Sequence, residues 1–180
     1  MIQPYVDCAR RLNRRGLAPA SIAEIICEVG EGTVHRLWEP LAAKQRPANG
    51  YAGKFAAPYC IAYALMHGTL GLEAFADAKV EDDEVRALAG KVSYRIDPAN
   101  PYPAAYTGHV RVVLADGGVC EERQPHMRGG AQEPLALGEI EEKFAANVRH
   151  GGWSPPQAAA ALELARRLWQ TPRVELAPLR

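Results

Sequence analysis

The stretch HVRVVLADGGVCEER, residues 109–123, decides the fold class. Apolar residues crowd its first half and charged ones its second, and between them stands Asp116-Gly117, a dipeptide that tolerates the positive φ of a tight turn. It reads as a β-hairpin. Counting outward from a two-residue turn sets Leu114 across from Val119 and Arg111 across from Glu122, so that an apolar pair and a charge pair both match. Just upstream, KVSYRID (residues 91–97) is another strand, with Val92, Tyr94 and Ile96 on one face and Ser93, Arg95 and Asp97 on the other. Earlier still, SIAEIICEV places Ile25, Cys27 and Val29 on one side and Glu24 and Glu28 on the other, a strand with one buried face.

Helices surround these strands. QPYVDCARRLNRRG carries basic residues at positions 10, 11, 14 and 15 and then Gly16, as a helix C-terminus does. A polar, irregular stretch with Pro40, Pro47 and Asn49-Gly50 as breakers runs to Ala52. GYAGKFAAPYCIAYALMHG (residues 50–68) follows. Proline is comfortable in the first turn of a helix and disruptive in its middle, so Pro58 starts this helix near Ala57. DDEVRALAG is a shorter helix, acidic at its start and closed by glycine. Beyond the strands the character changes. Leu137, Ile140, Phe144 and Val148 share a helix face, and Ser154-Pro155-Pro156-Gln157 has the spacing of a capping box with proline at the first helical position. Ala158, Ala161, Leu162, Ala165, Leu168 and Trp169 form the stripe of that last helix. The expected fold is α+β: a small, mainly antiparallel sheet with helices packed on it, followed by two C-terminal helices.

The whole chain has 180 residues, 48% of them hydrophobic and 23% charged, the composition of an ordinary globular domain. Acids and bases balance at 21 each, which argues against a nucleic-acid or anionic-membrane binder. Cys8, Cys27, Cys60 and Cys120 form no CxxC pair. With no signal peptide and no apolar run of membrane-spanning length, they read as reduced core thiols of a cytoplasmic protein.

Motifs with their own chemistry are scarce. There is no GxGxxG, P-loop, HExxH or GxSxG, and no metal-spaced cluster of Asp, Glu and His. His126-Met127-Arg128-Gly129-Gly130 has the composition of a basic anion loop and equally that of a flexible connector. The start of the helix at Ala57 is more informative. A helix N-terminus offers unpaired N–H donors, and Lys54 just ahead of it makes a carboxylate or phosphate site. Tyr59 in the first turn adds a hydroxyl able to donate or carry a proton. The simpler reading of the same residues is that Tyr59, Ala62, Tyr63 and Met66 are the core stripe and Lys54 is solvated.

RPANGYAGKFAAPYCIAYALMHGTLGLEAFAD, then VEDDEVRALAGKV, YPAAYTGHVRVVLADGGVCEER and EPLALGEIEEKF, together resemble the C-terminal half of the MmgE/PrpD family. That family includes 2-methylcitrate dehydratase, cis-aconitate decarboxylase and iminodisuccinate epimerase. The resemblance implies a large helical domain and a smaller α+β lid, with residues 1–133 as the lid and 134–180 as the segment that returns to the helical domain. It also implies chemistry on small di- or tricarboxylates without metal or organic cofactor: a base takes a proton beside a carboxylate while an acid assists loss of water or carbon dioxide, or returns the proton. Where the family has Lys-Pro-Tyr-Pro-x-Cys, this chain has Gln3-Pro4-Tyr5-Val6-Asp7-Cys8, and Arg11, Leu12 and Asn13 stand where a histidine is sought. Glutamine still hydrogen-bonds a carboxylate but supplies no charge. The resemblance thus makes Tyr59 the catalytic candidate and Lys54, Gln3 and Tyr5 the substrate-binding ones. The helical half that supplies further catalytic groups in the family is not in this sequence. Three expectations stay open: one chain of a split enzyme with a separate helical partner, a non-catalytic binding module that self-associates through its last helices, and a domain cut from a longer enzyme.

Overall fold

The computed structural model describes residues 1–170. Its first helix, α1 (Gln3–Arg14), buries Tyr5, Cys8, Ala9 and Leu12, the i, i+3, i+4, i+7 face of one helix. Arg11 and Arg14 stand in its last turn, and Gly16 turns the chain with φ +78. The strand β1 (Ile22–Val29) buries Ile22, Ile25, Cys27 and Val29. A register shift between Ile22 and Glu24 explains why the spacing from Ile22 to Ile25 breaks the alternation.

The segment expected to be irregular contains three single-turn helices: α2 (Val34–Leu37), α3 (Leu41–Gln45) and α4 (Gly50–Gly53). Each is too short to show a period. Asn49 caps α4 by accepting the Ala52 N–H at 2.9 Å. The next helix, α5 (Ala57–His67), begins where Pro58 requires and ends at Gly68, φ +68. Every residue from Ala57 to Leu65 is buried. After α6 (Asp77–Val80) comes α7 (Asp83–Ala89), capped by Asp82, whose carboxylate accepts the N–H groups of Glu84 at 3.0 Å and Val85 at 3.2 Å.

The strands β2 (Val92–Ile96), β3 (Gly108–Leu114) and β4 (Val119–Gln124) complete a four-stranded sheet of order β2-β1-β3-β4. Both β3 pairings are antiparallel, whereas β1 and β2 run parallel, so the sheet is mixed. The long helical crossover between β1 and β2 makes this possible, since a parallel neighbour requires one. On the edge of β2, the Gln45 side chain donates to the Val92 carbonyl at 2.9 Å and occupies an acceptor that a foreign strand would use.

The hairpin forms, but its register differs by one residue from the expected one. Val113 faces Val119, Arg111 faces Glu121 and Val110 faces Glu122. Leu114 N–H donates to Gly118 and Gly117 N–H to Leu114, so three residues, Ala115 to Gly117, form the loop, with Gly117 at φ +86. A turn followed by one left-handed glycine replaces the two-residue turn. A one-residue slip exchanges sheet faces, and Glu122 is therefore buried on the helix side.

Helix α1 lies on β3 and β4, and α5 packs against α1 and α7. The approach of α1 to the sheet depends on Gly108: a Cβ there would collide with the backbone of Pro4 and Tyr5. The core joins Leu12, Ile25, Cys27, Val29, Ile61, Leu65, Val110 and Val112. This first unit comprises Met1–Pro134, and a second begins at Leu135. In the second, α8 (Leu137–His150) and α9 (Pro155–Arg167) are joined by Arg166, which donates to both Glu141 carboxylate oxygens at 2.9 and 2.8 Å. Ser154 accepts from the Gln157 N–H, and Gln157 from the Ser154 N–H, closing the expected capping box. Neither helix contains a buried residue. Among the described residues no helix is long and apolar enough to cross a membrane.

Candidate functional site

The elbow between α4 and α5 holds two of the four residues selected from the sequence. Lys54 is exposed, and its ammonium lies 6.0 Å from the centre of the Phe75 ring. Tyr51, 72% exposed, meets Phe55 edge-on at 5.4 Å. Lys44 reaches across from α3 and donates to the carbonyls of Arg36 at 2.6 Å and Phe55 at 2.8 Å. Burial lowers the pKa of this ammonium, which acts as a clamp on the elbow. The first turn of α5 is itself buried, from Ala56 to Cys60.

Tyr59 lies beneath the elbow with no exposed surface. Its hydroxyl donates to the Ala74 carbonyl, and its ring stands 6.5 Å from that of Phe75. Burial first, then Cys60, Tyr63 and Asp82, raise its pKa far above the ordinary phenol value, so the hydroxyl stays protonated at neutral pH. Chemically it is a hydrogen-bond donor already in use.

Gln3 and Tyr5 sit at the start of α1. Gln3 donates to the Arg128 carbonyl at 2.6 Å. Tyr5 is buried, donates to the Glu28 carbonyl at 3.2 Å and packs edge-on against Trp38 at 5.4 Å. Its pKa too is raised, chiefly by burial. Asp7, one turn along, is buried and pairs with the Arg128 guanidinium at 3.2 Å. The loop expected either to bind anions or to connect is thus folded onto α1. Its Gly129 and Gly130 N–H groups donate to the carbonyls of Glu133 and Met127, so neither is offered to an anion. The contacts therefore divide the four residues into two groups, Lys54 with Tyr59 and Gln3 with Tyr5.

A comparison with family models matches residues 1–170 to the MmgE/PrpD C-terminal domain. The chain belongs to the MmgE/PrpD family. No curated protein matches it by sequence. The MmgE/PrpD match spans both groups of residues and both C-terminal helices.

Two charge clusters of this MmgE/PrpD domain were not visible in its sequence. In the first, Arg11 donates to Glu122 at 2.7 Å, to Gln124 at 2.6 Å and to the Arg123 carbonyl at 3.0 Å. Arg15 pairs with the other Glu122 oxygen. In the second, Glu28 meets Arg95 at 2.5 Å, Arg123 at 2.9 Å and His109 at 3.3 Å, while His109 also lies 3.0 Å from Glu121. Glu28, His109 and Arg123 line a cavity of about 230 Å³ together with Asp97, Asn100 and Thr107. Burial raises the Glu28 pKa, but hydrogen bonds from Arg95 and Arg123 and the nearby His109 outweigh it and hold the carboxyl below its usual value. These β4 partners of Arg11 lie more than 100 residues away along the chain, and no local spacing announces them. Lys44 likewise gave no signal, standing between breakers with no periodic neighbours. Among the described residues no group of three or more His, Cys, Asp or Glu is arranged to hold a metal.

Proposed function

We propose that this chain is the lid-like half of a cofactor-independent lyase or isomerase acting on small di- or tricarboxylates, and that it works with a helical half supplied by another chain or segment. The observation that carries the reading is the elbow. Within a domain of this family, an exposed ammonium is presented on an aromatic ring, with a second lysine clamping the backbone behind it. An ammonium with this setting suits a carboxylate, and Lys54 is the residue assigned to hold one. Leu137 and Ile140, 66% and 50% exposed on α8, support the need for a covering partner.

A second reading, a non-catalytic binding module, is favoured by one feature. Gln3 and Tyr59 spend their polar groups on backbone carbonyls, at Arg128 and Ala74, so neither is poised to move a proton in this chain. Citrate titration of the full chain, followed by thermal unfolding and light scattering, tests the shared part of both readings. A ligand at a hundred times its dissociation constant adds about 2.7 kcal/mol, an easily read shift. Stabilisation by citrate that disappears in Lys54→Ala is the expected result, and an unchanged midpoint at saturating citrate refutes it. Deuterium exchange beside a carboxylate of the bound ligand, with a helical MmgE/PrpD half added, separates enzyme from module.

A further inference from the structure

Phe75 attracts no attention in the sequence, yet four contacts, two from Tyr59 and two from Gly50, converge on its position. The Tyr59 hydroxyl donates to the carbonyl of Ala74, the residue before it. The Tyr59 ring packs at 6.5 Å from its own. Gly50 N–H donates to Asp77, two residues after it, at 2.8 Å. The Gly50 backbone lies so close that an added Cβ would overlap the Phe75 carbonyl oxygen. The turn is fastened on both sides of the ring, and over that ring lies the Lys54 ammonium at 6.0 Å.

We infer that Phe75 is a positioning residue: its ring holds the Lys54 ammonium ready for a carboxylate, and Tyr59 acts by fixing Phe75 rather than by touching the substrate. This rests on the carboxylate reading of the elbow. A lysine side chain loses more rotational freedom on binding than most, and a partner that restrains it beforehand leaves more of the interaction for affinity. The ring face is suited to this, because it attracts the cation without neutralising it as a carboxylate would. The buried Tyr59 explains why the ring stays in place. Its hydroxyl has one acceptor, and the pair is inaccessible to solvent.

The test combines calorimetric titration of citrate with NMR of the Lys54 ε-protons in the full chain. Phe75→Leu, which keeps apolar volume but removes the π face, is expected to weaken citrate about two- to five-fold. Phe75→Tyr is expected to restore binding, and Phe75→Leu is expected to add nothing in a Lys54→Ala background. The ε-protons are expected to be shifted upfield by the ring in the wild type and in Phe75→Tyr, and to return to the ordinary position in Phe75→Leu. If Phe75→Leu binds citrate as the wild type does while Lys54→Ala does not, the carboxylate reading stands and the inference falls. If the wild type does not bind citrate, or Lys54→Ala binds it normally, both fall. Should Phe75→Leu not fold, unshifted ε-protons in the wild type and in Phe75→Tyr overturn the inference directly.

Discussion

Replacing Arg11 by methionine isolates the buried charge that the shifted hairpin register creates. In the native chain one guanidinium serves Glu122, Gln124 and the Arg123 carbonyl at 2.7, 2.6 and 3.0 Å, while Glu122 is only 9% exposed. Methionine preserves the stem's packing but leaves the carboxylate with Arg15 alone, whose side chain is 61% exposed. Removing one partner of a buried pair costs roughly 3 to 5 kcal/mol, and the surviving Arg15 contact reduces the expectation to about 2 to 3 kcal/mol. A unit of roughly 130 residues unfolds with an entropy near 0.28 kcal/mol/K, so the midpoint should fall by about 7 to 11 °C. Circular dichroism melting at pH 7 reads this directly. Adding Glu122→Met to Arg11→Met removes the stranded charge and should recover half the loss or more. A drop below about 2 °C for the single variant, or simple additivity in the double, would refute the reasoning.

Four further outcomes are expected. Because the folded-state pKa of Glu28 is depressed, its contribution to stability is complete above the unfolded carboxylate value near 4.3 and is lost as pH falls through the lower folded value; the acid slope of chemical unfolding between about pH 3 and 5 should be shallower in Glu28→Gln, and an identical slope contradicts this. Gly108→Ala should cost about 3 kcal/mol or more, since the colliding atoms are the backbone of α1; Gly117→Ala, with open space but φ +86, should cost only about 1 to 2 kcal/mol by denaturant titration. Cys8 and Cys60 have thiols pushed up to about 12, chiefly by burial, and Cys27 is raised as well; a thiol reagent at pH 8 should therefore modify Cys120 first, and all four only after denaturation. Ile140→Asp on the exposed stripe of α8 should leave the melting of the first unit unchanged and abolish any association seen by light scattering.

What the sequence made legible was local. Pro58 placed the start of α5 because a proline ring is tolerated only in a first turn, and alternation found β1 because one of its faces is buried. The family resemblance rested on such segments in their order, and the match over residues 1–170 agrees with it. What escaped depended on geometry between distant segments. The parallel pairing of β1 with β2 follows from where a long crossover returns, and alternation is the same for either direction. The hairpin register failed by one residue because Asp116-Gly117 suits a two-residue turn as well as the last two positions of the three-residue loop found here. Arg11, with buried partners across the fold, looked from the sequence like one of four basic residues ending a helix.

The electrostatic pattern of the first unit bears on where a carboxylate would go. Arg11 and Arg15 are committed to Glu122, Arg128 to Asp7, and Arg95 and Arg123 to Glu28. A ligand approaching any of these must displace a carboxylate that is itself largely buried, and would strand that charge as it bound. Lys54 demands no such exchange, because its neighbour is an aromatic ring that retains its attraction while a second, anionic partner arrives. The paired arginines therefore hold the fold together, whereas Lys54 offers its charge without stranding a buried carboxylate.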